Sequence, residues 1–240
     1  MEQAVDRDAE LALERAELAE RVGRLRESLA RAARRFGAPP QLLAVTKTVA
    51  AERVNLLAGA GIFQIAESRA QEWREKSGFL LPEFELHWIG RLQTNKIKYI
   101  INDVCLVHSL DRAALAEELG RSAWRAGRRV PALVQVNVAG ETQKAGVPPE
   151  DLPSFLRQYG GHPGLWLQGL MAIMPETEDP ETLRPYFRLM RETFESVGRQ
   201  TVAGVEMRHL SMGMSADCIV AAQEGATIVR VGSAIFGSRL

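Results

Sequence analysis

After Gly37-Ala38-Pro39-Pro40 the chain alternates short aliphatic runs with stretches of helical periodicity, and the alternation continues almost to its last residue. The runs at 42–45, 62–65, 85–88, 104–107, 132–136, 166–170, 206–210 and 227–231 read as strands. Between them 51–60, 68–76, 94–101, 112–126, 150–159, 181–197 and 216–224 read as helices. Strands separated by whole helices cannot pair as hairpins, so they run parallel and bury both faces. Eight such units predict one (β/α)8 barrel of the TIM type, with an open doubly wound sheet as the alternative. No linker, repeat or low-complexity tract divides the chain, so residues 1–240 are read as one domain. Residues 8–35 add a helix outside this pattern, with Leu18, Val22, Leu25, Leu29 and Ala32 on one stripe. We expect 1–36 to pack on the barrel; a coiled-coil dimer seam is the alternative.

Composition narrows the function. Lys+Arg and Asp+Glu both number 30, a formal net charge of +0, which argues against a general nucleic-acid binder. The group Arg125, Arg128 and Arg129 reads as a solvated helix end. Cys105 and Cys218 show no metal-type spacing and imply no disulfide framework. The acidic opening Met1-Glu2-Gln3-Ala4-Val5-Asp6 lacks the features of a signal peptide, and no apolar run approaches the length of a membrane span. A cytoplasmic protein without membrane or nucleic-acid partners is expected. His87, His108, His162 and His209 are scattered and read as structural or surface residues, with no metal site.

In a parallel barrel the chemistry gathers at the C-terminal ends of the strands. The first strand ends in Lys47, whose amine, if desolvated, could attack a carbonyl; a solvated charge is the plainer reading. The last strand runs through Arg230 and Val231 into Gly232-Ser233, where glycine and the free N–H groups of a helix start suit a phosphate. A tight turn would use the same residues. Leu210-Ser211-Met212-Gly213-Met214-Ser215 enters a flexible loop, and Ser215 could cap the next helix or hold a phosphate oxygen. Met212 and Met214 read as cavity lining or core filler, and 169–175 as an apolar cavity wall.

Taken in order, Leu-Leu-Ala-Val-Thr-Lys (42–47), His-Trp-Ile-Gly-Arg-Leu-Gln-Thr-Asn-Lys (87–96), Val-Gln-Val-Asn-Val-Ala-Gly-Glu (134–141), Leu-Ser-Met-Gly-Met-Ser (210–215) and Val-Arg-Val-Gly-Ser-Ala-Ile-Phe-Gly (229–237) resemble the pyridoxal phosphate homeostasis proteins. The resemblance covers nearly everything after residue 40. It implies a barrel similar to the N-terminal domain of alanine racemase, binding pyridoxal 5′-phosphate without established catalysis, in vitamin B6 homeostasis in the cytoplasm. By the same resemblance Lys47 would hold the cofactor as a Schiff base. Ser215, Gly232 and Ser233 would take its phosphate, Arg230 would face the pyridine nitrogen, and Ser68 and Met214 would be further contacts. Ala66 and Ser68 depart from the family, which usually has Gly and Asn there.

No catalytic residue is expected. An arginine opposite the ring nitrogen weakens the electron sink, and racemisation needs a second base, which alanine racemase takes from a further domain beyond the point where this chain ends. A narrow racemase, lyase or transaminase is one alternative, and a Schiff-base aldolase another. Apo-enzymes that receive the cofactor would be partners. The family is usually monomeric, while the first helix permits a dimer.

Overall fold

The computed structural model describes residues 2–141 and 143–237, with side chains from Glu10 onward. The acidic opening and the two ends of the 1–240 domain reading therefore lie partly outside the described residues.

Eight parallel strands close into a barrel in the order β1 to β8: Gln41–Val45, Gln64–Glu67, Glu85–Trp88, Val104–Leu110, Val130–Gln135, Leu165–Met171, Val205–Ser211 and Ile228–Val231. Closure is made by β1 against β8, with Leu43 opposite Arg230 and Ala44 opposite Val231. The helices are α1 Glu2–Ala32, α2 Ala51–Asn55, α3 Ala70–Lys76, α4 Ala113–Arg125, α5 Leu152–Tyr159, α6 Arg184–Gly198, α7 Cys218–Gln223 and α8 Ser233–Phe236. The doubly wound alternative is thereby excluded.

Strand alternation sorts the core into two layers. Leu43, Val45, Ala66, Leu106, Leu133, Met171 and Ile228 fill the barrel interior as one cluster. Their neighbours along the strands, such as Ala44, Ile65, Leu86, Trp88 and Val107, face outward and join the larger core under the helices.

The first helix lies against the barrel. Leu18, Val22 and Leu29 are buried, so its apolar stripe is spent on the fold. Arg26 donates to the Ala60 and Gly61 carbonyls at 2.8 Å each, and Arg53 of α2 bonds Glu14 and the Phe236 carbonyl. Two expectations change. Residues 94–99 form a 3-10 helix in place of a longer α-helix. Arg128 and Arg129 are not simply solvated: they donate to the Val104 and Leu165 carbonyls, at 2.8 and 2.9 Å, and tie strand ends together.

Candidate functional site

Lys47 stands two residues past the end of β1 and continues the inward series of Leu43 and Val45. Its neighbours on both sides are held. Thr46 Oγ1 donates to Glu67 Oε1 at 2.6 Å, and the Thr46 carbonyl accepts from Lys76 Nζ at 2.8 Å. Thr48 adopts φ 64, a left-handed conformation that a β-branched residue takes only under constraint. That constraint is visible: the Thr48 N–H donates to Glu72, whose carboxylate also takes Lys76 at 3.0 Å. Lys76, 7% exposed, thus bridges Glu67, Glu72 and the backbone beside Lys47. Burial raises the Glu67 pKa, while the bonds from Lys76 and Thr46 pull the other way. This supporting triad was missed in the sequence; the only trace was Glu72 four residues before Lys76, an ordinary helical pair.

The phosphate-type loop forms where β7 and β8 end. Gly213 has φ +91, and a Cβ there would lie 2.5 Å from Ala221 Cβ, so only glycine turns the chain at this point. The following residues are fixed by Asp217, which accepts from the Met214 N–H. Ser215 does not cap α7, one of the two roles its position in the sequence allowed; Asp217 occupies the N-cap position. Instead Ser215 Oγ accepts from the N–H groups of Gly232 and Ala234, at 3.2 and 3.4 Å. Those long, shared bonds aim two backbone donors at one point, and the Ser215 hydroxyl proton remains for another acceptor. Such a donor set suits a phosphate oxygen. Ser233 is exposed beside it. Met214 is 42% exposed and Met212 fully buried, so only Met212 is core filler.

Arg230 is 4% exposed, beneath this loop and inside the barrel. Its guanidinium donates to Ser211 Oγ at 2.8 Å and to the Ala172 carbonyl at 2.9 Å. Burial lowers its pKa to about 10, which leaves it cationic at neutral pH. Ser211 continues the chain to His108 Nδ1 at 2.9 Å, and His108 Nε2 reaches His87 Nδ1 at 3.0 Å. The three contacts agree in donor and acceptor if Arg230 donates to Ser211, Ser211 to His108 Nδ1, and His108 Nε2 to His87 Nδ1. Both rings are then neutral, in keeping with burial, which lowers the His87 pKa to about 4 and that of His108 well below its usual value. The reading of these histidines as scattered is corrected: the barrel brings two of them into one buried polar chain ending on Arg230. Their spacing held no signal because the partners sit on different strands. His162 stays structural, accepting from the Gly164 N–H at 3.2 Å.

Of the expected contacts, Lys47, Ser215, Arg230, Gly232 and Ser233 come from the adjacent ends of β1, β7 and β8. Ser68 stands past the end of β2 and lines a cavity with Trp88 and Arg91, which none of those five residues lines.

Comparison with known proteins agrees with this architecture. A profile of the alanine racemase N-terminal domain matches residues 21–240. The pyridoxal phosphate homeostasis protein of Aquifex aeolicus (strain VF5) is 42% identical over 224 residues, covering 92% of this chain and 97% of its own. PipY of Synechococcus elongatus PCC7942, solved without pyridoxal phosphate, superposes with a TM-score of 0.83 at 34% identity, covering 92% of this chain and all of its own. Its pyridoxal phosphate-bound form superposes at 0.79 with 32% identity, at the same coverage of both chains. Alanine racemase of Corynebacterium glutamicum shares the fold at 12% identity, with a TM-score of 0.71, over 92% of this chain and 62% of that one.

Proposed function

The chain belongs to the pyridoxal phosphate homeostasis proteins, which are built on the alanine racemase N-terminal domain, and we propose that it binds pyridoxal phosphate through Lys47 and carries or buffers it in the cytoplasm. The observation that carries this reading is the convergence of one lysine, one buried arginine and a paired N–H and hydroxyl donor set on neighbouring strand ends. Bound pyridoxal phosphate supplies an aldehyde that a lysine amine can capture and a ring that draws electrons from the captured group. Lys47 is the amine on this reading, held at the barrel mouth by the Thr46–Glu67–Lys76 bonds. Ser215, with the Gly232 and Ala234 N–H groups, takes the phosphate, and Ser233 stands at its edge. Arg230 faces the ring nitrogen as a donor. Because it stays protonated and has no proton to accept, it keeps that nitrogen an acceptor and weakens the ring as an electron sink.

This favours storage and delivery to apo-enzymes over turnover, as do relatives named for homeostasis. A racemase or lyase of narrow range is the second reading, since an arginine partner does not by itself abolish carbanion chemistry. The loaded protein, incubated with each common amino acid in turn, should bind the cofactor with a visible absorbance yet neither racemise nor decarboxylate. Turnover of about 1 s⁻¹ or faster, the low end for ordinary enzymes, would replace the carrier reading with the second.

A further inference from the structure

Past the ends of β2 and β3 lies a cavity of about 610 Å³ between the start of α3 and the 3-10 helix Thr94–Tyr99. This is the size of pocket that takes a small organic molecule. Four cations line it: Arg69, Arg91, Lys96 and Arg112. One carboxylate, Asp111, answers Arg91 at 3.5 Å and bonds Arg112, so three positive charges are left over. Lys96 stands over the Tyr99 ring, 5.6 Å from its centroid, which orients the ammonium without neutralising it.

Trp88 supplies the second, independent sign. It is 2% exposed and forms part of the wall, and its indole N–H has no acceptor among the described residues. A buried donor left unsatisfied is costly and rare in folded proteins. The floor is also rigid. Gly90 packs so tightly on Ser68 that a Cβ there would lie 2.3 Å from the Ser68 carbonyl oxygen, and Ser109 Oγ holds the Gly90 carbonyl at 2.6 Å. Arg112 is fixed by the Leu92 carbonyl at 2.8 Å. Nothing in the proposed capture of pyridoxal phosphate at Lys47 uses Arg69, Arg91, Lys96, Arg112 or the Trp88 N–H.

We propose that this cavity is a second binding site, for a small organic anion carrying two or more phosphate or carboxylate groups. Arg69, Lys96 and the Arg91–Arg112 pair would meet its charges, and the Trp88 N–H would donate to one of its oxygens. The proposal does not depend on the reading of Lys47.

Inorganic pyrophosphate and citrate are the probes, titrated calorimetrically into the full chain, its Lys47→Ala variant, and an Arg69→Gln/Lys96→Gln double variant. Both substituted side chains are exposed, and an unchanged thermal midpoint certifies the fold. Saturable binding of at least one probe is expected, equal in Lys47→Ala and weakened about tenfold or more in the double variant, as for loss of two charge-assisted contacts. Trp88→Phe, which keeps an aromatic side chain and removes the indole N–H, should weaken the same probe while leaving uptake of pyridoxal phosphate and the thermal midpoint unchanged. If neither probe saturates by about 1 mM, or if the double variant binds as well as the parent, the cavity is not an anion site. Binding lost in Ser215→Ala but kept in the double variant would put the anion in the β7–β8 loop instead and equally overturn the proposal.

Discussion

The two sides of the barrel mouth are made of different chemistry. Around β1, β7 and β8 the groups are backbone N–H donors, a serine hydroxyl and one lysine, set on short loops at the rim. Inside, toward β3 and β4, a histidine pair, Ser211 and Arg230 form a desolvated chain with no exposed member. The rim can be altered without unpacking the barrel, because its donors face outward. The interior chain cannot, since its buried polar atoms are satisfied by one another, Ser211 Oγ by both Arg230 and His108. Ligand affinity should therefore reside in the rim and stability in the interior, with Arg230 belonging to both.

Three substitutions or conditions press on that division, the largest effect first. Arg230→Met keeps bulk but strips a donor from Ser211 and from the Ala172 carbonyl; we expect a loss of about 2–5 kcal/mol in denaturant unfolding, from two buried acceptors each left without its donor at about 1–3 kcal/mol. A loss below about 1 kcal/mol, the worth of an exposed contact, would show that the interior chain does not hold the barrel.

Next comes pH. The folded pKa of His87 lies near 4, below its ordinary 6.5, so the fold holds the neutral ring and the unfolded chain binds the proton more readily. Its contribution is fully present above pH 6.5 and is lost as pH falls toward 4, a change of about 3 kcal/mol at most for this one group. Unfolding midpoints measured across that window should fall with acidification in the parent and more shallowly in His87→Gln. Equal slopes would remove His87 from the account.

Ser215→Ala comes last. It removes one partner of a charged group and should weaken pyridoxal phosphate by about 1–3 kcal/mol, with unphosphorylated pyridoxal and the unfolding midpoint little changed. If pyridoxal loses as much as its phosphate, the rim loop is not a phosphate site.

The same division explains what could be read without coordinates. Strand β1 and the run through Val231 are apolar and end in the residues that matter, so both the barrel and the rim candidates Lys47, Ser215, Gly232 and Ser233 stood out by position. Strand β4 did not. It was expected to stop at 107, yet it continues to Leu110, because His108 and Ser109 are polar residues buried inside the barrel. Strand β2 is displaced for a similar reason: it was expected at 62–65 but runs Gln64–Glu67, and the buried Glu67 carboxylate is held by Lys76, nine residues on, and by Thr46. Buried polar groups are legible only with their partners, and here the partners come from other elements. The family resemblance set Ser68 near the cofactor; the fold places it past the end of β2, where it lines the cationic cavity with Trp88 and Arg91.

The central claim is that Lys47 captures pyridoxal phosphate, and borohydride reduction of the loaded protein followed by peptide mapping tests it most directly. The account predicts a single pyridoxyl label on the peptide carrying Lys47, no label there in Lys47→Ala, and loss of the visible absorbance in that variant. Lys96 in the cationic cavity and Lys144, paired with Glu141 at 2.9 Å, are the informative alternatives. A label on either of them, with Lys47 unmodified, would contradict the assignment of the rim as the cofactor site.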